Sequence, residues 1–193
     1  MRFEKGHKEA TRRRIVDVAA ARFRRDGVAA TGIAGLMEDA GLTHGGFYAH
    51  FNSKEALVRE AITAALDATG QRMDRAATRE DSGLEGLIRR YLRPAHRDNP
   101  AQGCALAALA AEIARHEPAT RDVFASRAEA FLARIIAHLP DYAAEVRKST
   151  AIGILSVLLG ALQLARVVTD KAVSDQILES GIKAALTLAQ TAG

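Results

Sequence analysis

Apolar residues recur every three to four positions through the first forty residues, the period of helices with one buried face. Ile15, Ala19 and Phe23 stand four apart, and Val16 and Ala20 widen the stripe. Asp26-Gly27 closes it, because glycine takes the left-handed cap conformation without strain. Thr31 is placed to cap a second run with Ile33, Leu36, Met37 and Ala40 on its apolar side, ending at Gly41. Thr43 opens a third short run over about 44–50, whose apolar members are Phe47 and then Phe51. Asn52-Ser53 punctuates the chain, and Ser53 can cap a long helix beginning Lys54-Glu55-Ala56-Leu57. The same period predicts helices over about 83–93, 104–115, 119–138, 142–168 and 173–190, with Pro94–Gly103 and its two prolines as the clearest irregular segment. Strand-like alternation and internal repeats do not appear. The expected fold class is all-α, about nine helices: a three-helix N-terminal head with a helix-turn-helix at about 31–50, on a larger helical body.

Composition agrees with that pattern. Of 193 residues 48% are hydrophobic, enough for a real core, and only 5% are aromatic, with no Trp. The single cysteine, Cys104, excludes an internal disulfide and suits a reducing cytoplasm. No apolar signal-peptide core follows the charged N-terminus. The most apolar run, Ala151–Val168, is interrupted by Ser156, Gln163 and Arg166, which favours a buried helix over a membrane span. Charge is what separates the two parts. Residues 1–54 hold ten Lys/Arg against six Asp/Glu, which accounts for the whole net charge of +4; the remainder carries seventeen of each. A polyanion-binding head on a neutral body has this asymmetry.

A generic helical hairpin is the alternative to a DNA-reading one, and the pair Gly45-Gly46 argues against it. Each glycine costs about 0.8–1.0 kcal/mol in a helix, a cost that makes sense where a backbone must approach a ligand closely. Around the pair, Thr43, His44, Tyr48, His50 and Lys54 offer polar groups with no apolar role, and Thr31, Arg12 and Arg13 join them as candidate DNA contacts. Thr43 at a helix start can hold a phosphate, Tyr48 and His50 can reach phosphate oxygens, and Lys54 supplies charge.

The stretch TRRRIVDVAAARFRRDGVAATGIAGLMEDAGLTHGGFYAHFNSKEALVREAI resembles the N-terminal domain of the TetR family of transcriptional regulators. The resemblance lies in Ile15, Ala19, Phe23 and Gly27, in Thr31 and Ile33, and in the turn Ala40-Gly41-Leu42-Thr43. It continues through Gly45, Phe47-Tyr48, His50-Phe51, Ser53-Lys54 and Leu57. His44 departs from it, standing where the family often carries Lys, Arg or Pro. The resemblance implies a DNA-binding domain over 8–68 and an effector-binding and dimerisation domain over 69–193. It implies a homodimer that represses from a near-palindromic double-stranded operator and is released by a small molecule or an electrophile. No cofactor, metal, membrane contact or enzymatic activity is expected.

In the body, Gly153, Ser156, Gly160, Gln163 and Val167 form a stripe of small and polar residues, which suits close helix approach either within the subunit or across a dimer. The resemblance favours the dimer. Effector contacts are sought among Met73, Tyr91, His96, Leu109, Phe124, Phe131 and His138, all of which serve equally as core. Glu112 and His116 stand four apart but make too small a set for a metal. Cys104 follows Gly103 at a predicted helix start, where helix amides lower a thiol pKa; it is a sensor candidate, with a small buried core residue as the competing reading. The rival functions are an effector-independent architectural DNA-binding protein and a helical thiol enzyme using Cys104.

Overall fold

A computed structural model describes residues 2–76 and 83–191, and those residues are helical with no strand. Helix α1 (Arg2–Asp26) buries Ile15, Ala19 and Phe23 and ends at Gly27, whose φ of +86° only glycine adopts freely. Helix α2 (Ile33–Asp39) follows, then a 3-10 helix, His44–Ala49. Helix α3 (Lys54–Ala76) starts at Ser53, whose hydroxyl accepts the Ala56 N–H at 3.1 Å. It is continuous across the expected boundary at 68/69, and packs on α1 at one end and on the body at the other.

The body contains α4 (Leu84–Tyr91), α5 (Pro94–Arg97), a second 3-10 turn (Pro100–Gln102), α6 (Ala105–Ile113) and α7 (Pro118–Ile136). Two long helices, α8 (Ala144–Val167) and α9 (Lys171–Gln190), complete it. Pro94–Gly103 is therefore not irregular. Pro94 and Pro100 each sit in the first turn of a short helix, where a missing N–H costs nothing. Asp170 caps α9 by accepting the N–H groups of Ala172 and Val173 at 2.8 and 3.2 Å. The α8–α9 pair meets at Gly181, where an added Cβ would lie 2.6 Å from the Ala161 Cβ. Arg97, 6% exposed, joins α5 to α9 through Ser174 at 2.8 Å and Asp175 at 2.6 Å. By length and composition α8 could cross a membrane, but it buries Ile154, Leu158 and Leu162 in the core.

Candidate nucleic-acid interface

The turn between α2 and the 3-10 helix is built by backbone hydrogen bonds that only a left-handed residue permits. Gly41, at φ +66°, donates to Glu38 O and Leu42 to Met37 O, both at 2.8 Å, the pairing of a Schellman cap. The chain is thereby turned into His44–Ala49, a 3-10 helix of six residues rather than an α-helix. The Gly45-Gly46 pair accounts for the difference, since glycine disfavours α-helix continuation.

Two phenylalanines anchor this element. Phe47 and Phe51 are 0% and 1% exposed and stack with ring centres 5.6 Å apart. Met37 and Leu36 lie beneath them in the same core. With its apolar side consumed, the element turns Thr43, His44, Gly45 and Tyr48 to solvent. Tyr48 is 64% exposed and stands edge-on to Phe47 at 5.3 Å and to His44 at 6.4 Å. Nothing lies within 4 Å of a Cβ built on Gly45, so that face of the backbone is open. Thr43 occupies the cap position without a side-chain hydrogen bond, leaving its hydroxyl free for another acceptor.

Several of the expected contacts have internal roles instead. Thr31 is fully buried and donates its hydroxyl to Gly27 O at 2.7 Å; the α2 cap position belongs to Gly32, which has no side chain to offer. Arg12 forks onto Glu60, donates to His50 O and lies 4.1 Å over the Phe51 ring, tying α1, the recognition element and α3 together. Lys54 donates to Val28 O at 2.6 Å, so much of its reach is spent bracing the α1–α2 loop. His50 is half-buried with its Nδ1 unpartnered, and its pKa is lowered by burial and by the charges of Lys8 and Arg12. Arg13 is exposed. Exposed Lys8, which sequence reasoning counted only as charge, stands near enough to His50 to provide free positive charge beside the recognition element. No local pattern marks it.

Two contacts between distant segments dock α1 and the loop after it on the body. Glu112 of α6 accepts the N–H groups of Val28 and Ala29 at 2.9 and 2.6 Å. Arg24 of α1, 9% exposed, donates to Ala101 O at 2.8 Å, and burial followed by the Arg72 charge lowers its pKa to about 10. Glu112 is thus separated from His116, which pairs with Glu55 at 2.8 Å. Among the described residues no cluster suited to a metal forms.

In the body a cavity of about 570 Å³ opens between α3, α4, α5 and α7. Of the expected effector contacts, Tyr91, His96, Met73 and His138 line it. Phe131 stands one layer behind, edge-on to Tyr91 at 5.8 Å, while Phe124 and Leu109 belong to the surrounding packing. Cys104 is 1% exposed at the start of α6, with its N–H donated to His96 Nε2 at 3.0 Å. The Tyr91 hydroxyl is buried and makes no hydrogen bond of ordinary geometry; burial first, then the nearby Cys104, raise its pKa. On α8, Ser156, Gly160, Gln163 and Val167 face outward and Gly153 is half-buried against Leu188. The Gln163 amide donates to Ala107 O within the subunit. Ile152, Leu164, Val167, Val173 and Leu188 give α8 and α9 exposed apolar side chains, Val167 at 78%.

Residues 15–61 match the family of bacterial regulatory proteins of the tetR type. The HTH-type transcriptional regulator TtgR of Pseudomonas putida is 38% identical over 81 residues, covering 42% of this chain and 38% of TtgR. The HTH-type transcriptional repressor KstR2 of Rhodococcus jostii is 37% identical over 60 residues, 31% of this chain and 29% of that protein. Sequence similarity to these relatives thus spans less than two-fifths of their length. The fold extends further. A TetR-family regulator from Cytophaga hutchinsonii superposes with a TM-score of 0.77 at 19% identity, covering 94% of this chain and 96% of that one. Reduced NemR from E. coli superposes with a TM-score of 0.72 at 19% identity, over 90% and 94% of the two chains.

Proposed function

This chain belongs to the TetR family of bacterial regulatory proteins through its head, residues 15–61, and on that premise we propose that it is a DNA-binding transcriptional repressor. It acts as a homodimer on a near-palindromic operator and is released when a small molecule occupies the cavity of the body. The observation that carries this reading is the recognition element. Phe47 and Phe51 are buried to fix its position, while Thr43, His44, Gly45 and Tyr48 are left to solvent with no internal side-chain hydrogen bond. A major groove admits such an element, and phosphate contacts from exposed Arg13 and Lys8 would set its register.

A homodimer is supported by the exposed apolar residues of α8 and α9, which have no cover in the single chain. Two heads would have to stand about 34–36 Å apart, or a multiple of that, to enter successive grooves. Release follows a mechanical route supported by the docking contacts. Arg72 at the cavity donates to Gln102 O at 3.2 Å, and the adjacent Ala101 O holds Arg24 of α1. A ligand that shifts the Pro100–Gln102 turn changes where α1 sits, and lowers operator affinity by its differential affinity for the two arrangements. Signal entry through the cavity is favoured over Cys104 because the thiol is enclosed.

The test is to sequence genomic fragments retained by the purified protein and to measure its mass in solution. A dimer with a shared inverted-repeat site is the expected result. Binding without sequence preference that falls smoothly with salt would instead identify an architectural protein.

A further inference from the structure

We propose that the body cavity takes an amphipathic carboxylate, its apolar part lodged inside and its carboxylate received at the rim by Arg72 and Arg93. The proposal rests on the reading of this cavity as the signal-receiving site and names the chemistry of its ligand. The volume of about 570 Å³ lies within the range of roughly 300–1,000 Å³ typical of small-molecule sites. Met73, Leu87, Tyr91 and Ala137 give its wall a carbon surface, which fits an aliphatic or aromatic body.

Charge decides the head group. Among the described residues four arginines line the cavity, Arg72, Arg90, Arg93 and Arg134, against one carboxylate, Asp74. Asp74 is taken by Arg134 in a two-pronged pair at 2.8 and 2.9 Å. Arg72 donates only to the Thr69 hydroxyl and Gln102 O, and Arg93 makes no side-chain hydrogen bond or ion pair among the described residues. Burial first lowers the Arg72 pKa, against the opposing influence of Cys104; the charges of Arg75 and then Arg93 add to the lowering, so Arg93 lies within electrostatic reach of Arg72. Like charges held together favour an anion between them, and guanidinium forks match a carboxylate in shape.

The remaining polar groups agree. His96 cannot supply or receive the charge, since its Nδ1 is bonded to Tyr91 O at 2.6 Å and its Nε2 to the Cys104 N–H. Tyr91, 6% exposed and lining the cavity, has a hydroxyl with no hydrogen bond of its own to give up. A cationic ligand would meet the unpaired arginines, and a neutral one would leave them uncompensated.

Isothermal titration of the intact protein, without DNA, with decanoate, decanol and decyltrimethylammonium tests this directly. Decanoate should bind about tenfold or more tighter than decanol, with decyltrimethylammonium weakest. Arg93→Gln, which removes no internal hydrogen bond, should abolish most of that preference while leaving decanol binding and the thermal midpoint unchanged. Decanol binding as tightly as decanoate, or a preference that survives Arg93→Gln, overturns the proposal. A parallel titration of the operator complex separates the two ideas. Decanoate that binds with the expected preference but fails to release DNA removes the release mechanism and leaves the ligand class standing; release by decanol with no preference for decanoate does the reverse.

Discussion

His96 is a half-buried base whose protonation the fold opposes, and this makes acid stability a quantitative test of the packing around the cavity. Its ring must carry the proton on Nδ1, which donates to Tyr91 O at 2.6 Å, so that Nε2 can accept the Cys104 N–H at 3.0 Å. A second proton on Nε2 would face that N–H donor. Burial is the main cause that lowers the pKa to about 4 from the ordinary 6.5; the Tyr91 carbonyl opposes it, and the charges of Arg166, Arg93 and Arg72 reinforce it. Between those two values the unfolded chain binds the proton and the folded chain does not. Stability therefore rises with pH across the window and is lost as pH falls from 6.5 towards 4. At 1.36 kcal/mol per pKa unit, the loss approaches about 3 kcal/mol over the window and reaches about 2 kcal/mol between pH 7 and 5. Urea unfolding at pH 7, 6 and 5 should show it in the wild type and not in His96→Gln, whose amide can keep both hydrogen bonds. His50, also held neutral by burial, slopes the same way in both proteins and cancels in the difference. The paired carboxylates Asp26, Asp74 and Asp98 have lowered pKa values, so they lose their contribution only at more acid pH. Equal slopes in the two proteins between pH 7 and 5 would refute the assignment of a neutral, doubly bonded His96.

Three further outcomes are expected. Gly45→Leu adds a side chain where nothing lies within 4 Å. The thermal midpoint should stay unchanged while operator affinity, read by fluorescence anisotropy, falls at least about tenfold through lost backbone approach; retained affinity would contradict the docking. Glu112→Gln weakens the bonds to the Val28 and Ala29 N–H groups. It should cost about 1–2 kcal/mol in urea unfolding and blunt the effect of any inducer on DNA binding. Gly181→Ala sets a Cβ 2.6 Å from that of Ala161 and 2.9 Å from Leu92 Cδ1. A loss of about 1–3 kcal/mol is expected from overpacking, and a variant as stable as wild type would show that α8 and α9 can separate freely.

The helices and the head were legible because their signals are local. A helix repeats its side-chain directions every turn, so the spacing of Ile15, Ala19 and Phe23 already states which face is buried. Gly27 and Gly41 mark helix ends because a positive φ is a property of one residue. The exposure of Thr43, Gly45 and Tyr48 follows from the same logic, since Phe47 and Phe51 had to turn inward. What the chain alone left open is where its long polar side chains go. Arg12 and Lys54 looked like DNA contacts, yet one grips Glu60 and His50 O and the other Val28 O. Arg24, unremarkable in sequence, and Glu112, weighed there only with His116 as a metal pair, hold the head to the body across 77 and 84 residues. A long charged side chain can reach in many directions, and its partner is chosen only when distant helices pack. Periodicity thus determined the elements and the buried face of each. Tertiary packing alone decided which cations remain free for DNA, which brace the head, and which stand unpaired around the cavity.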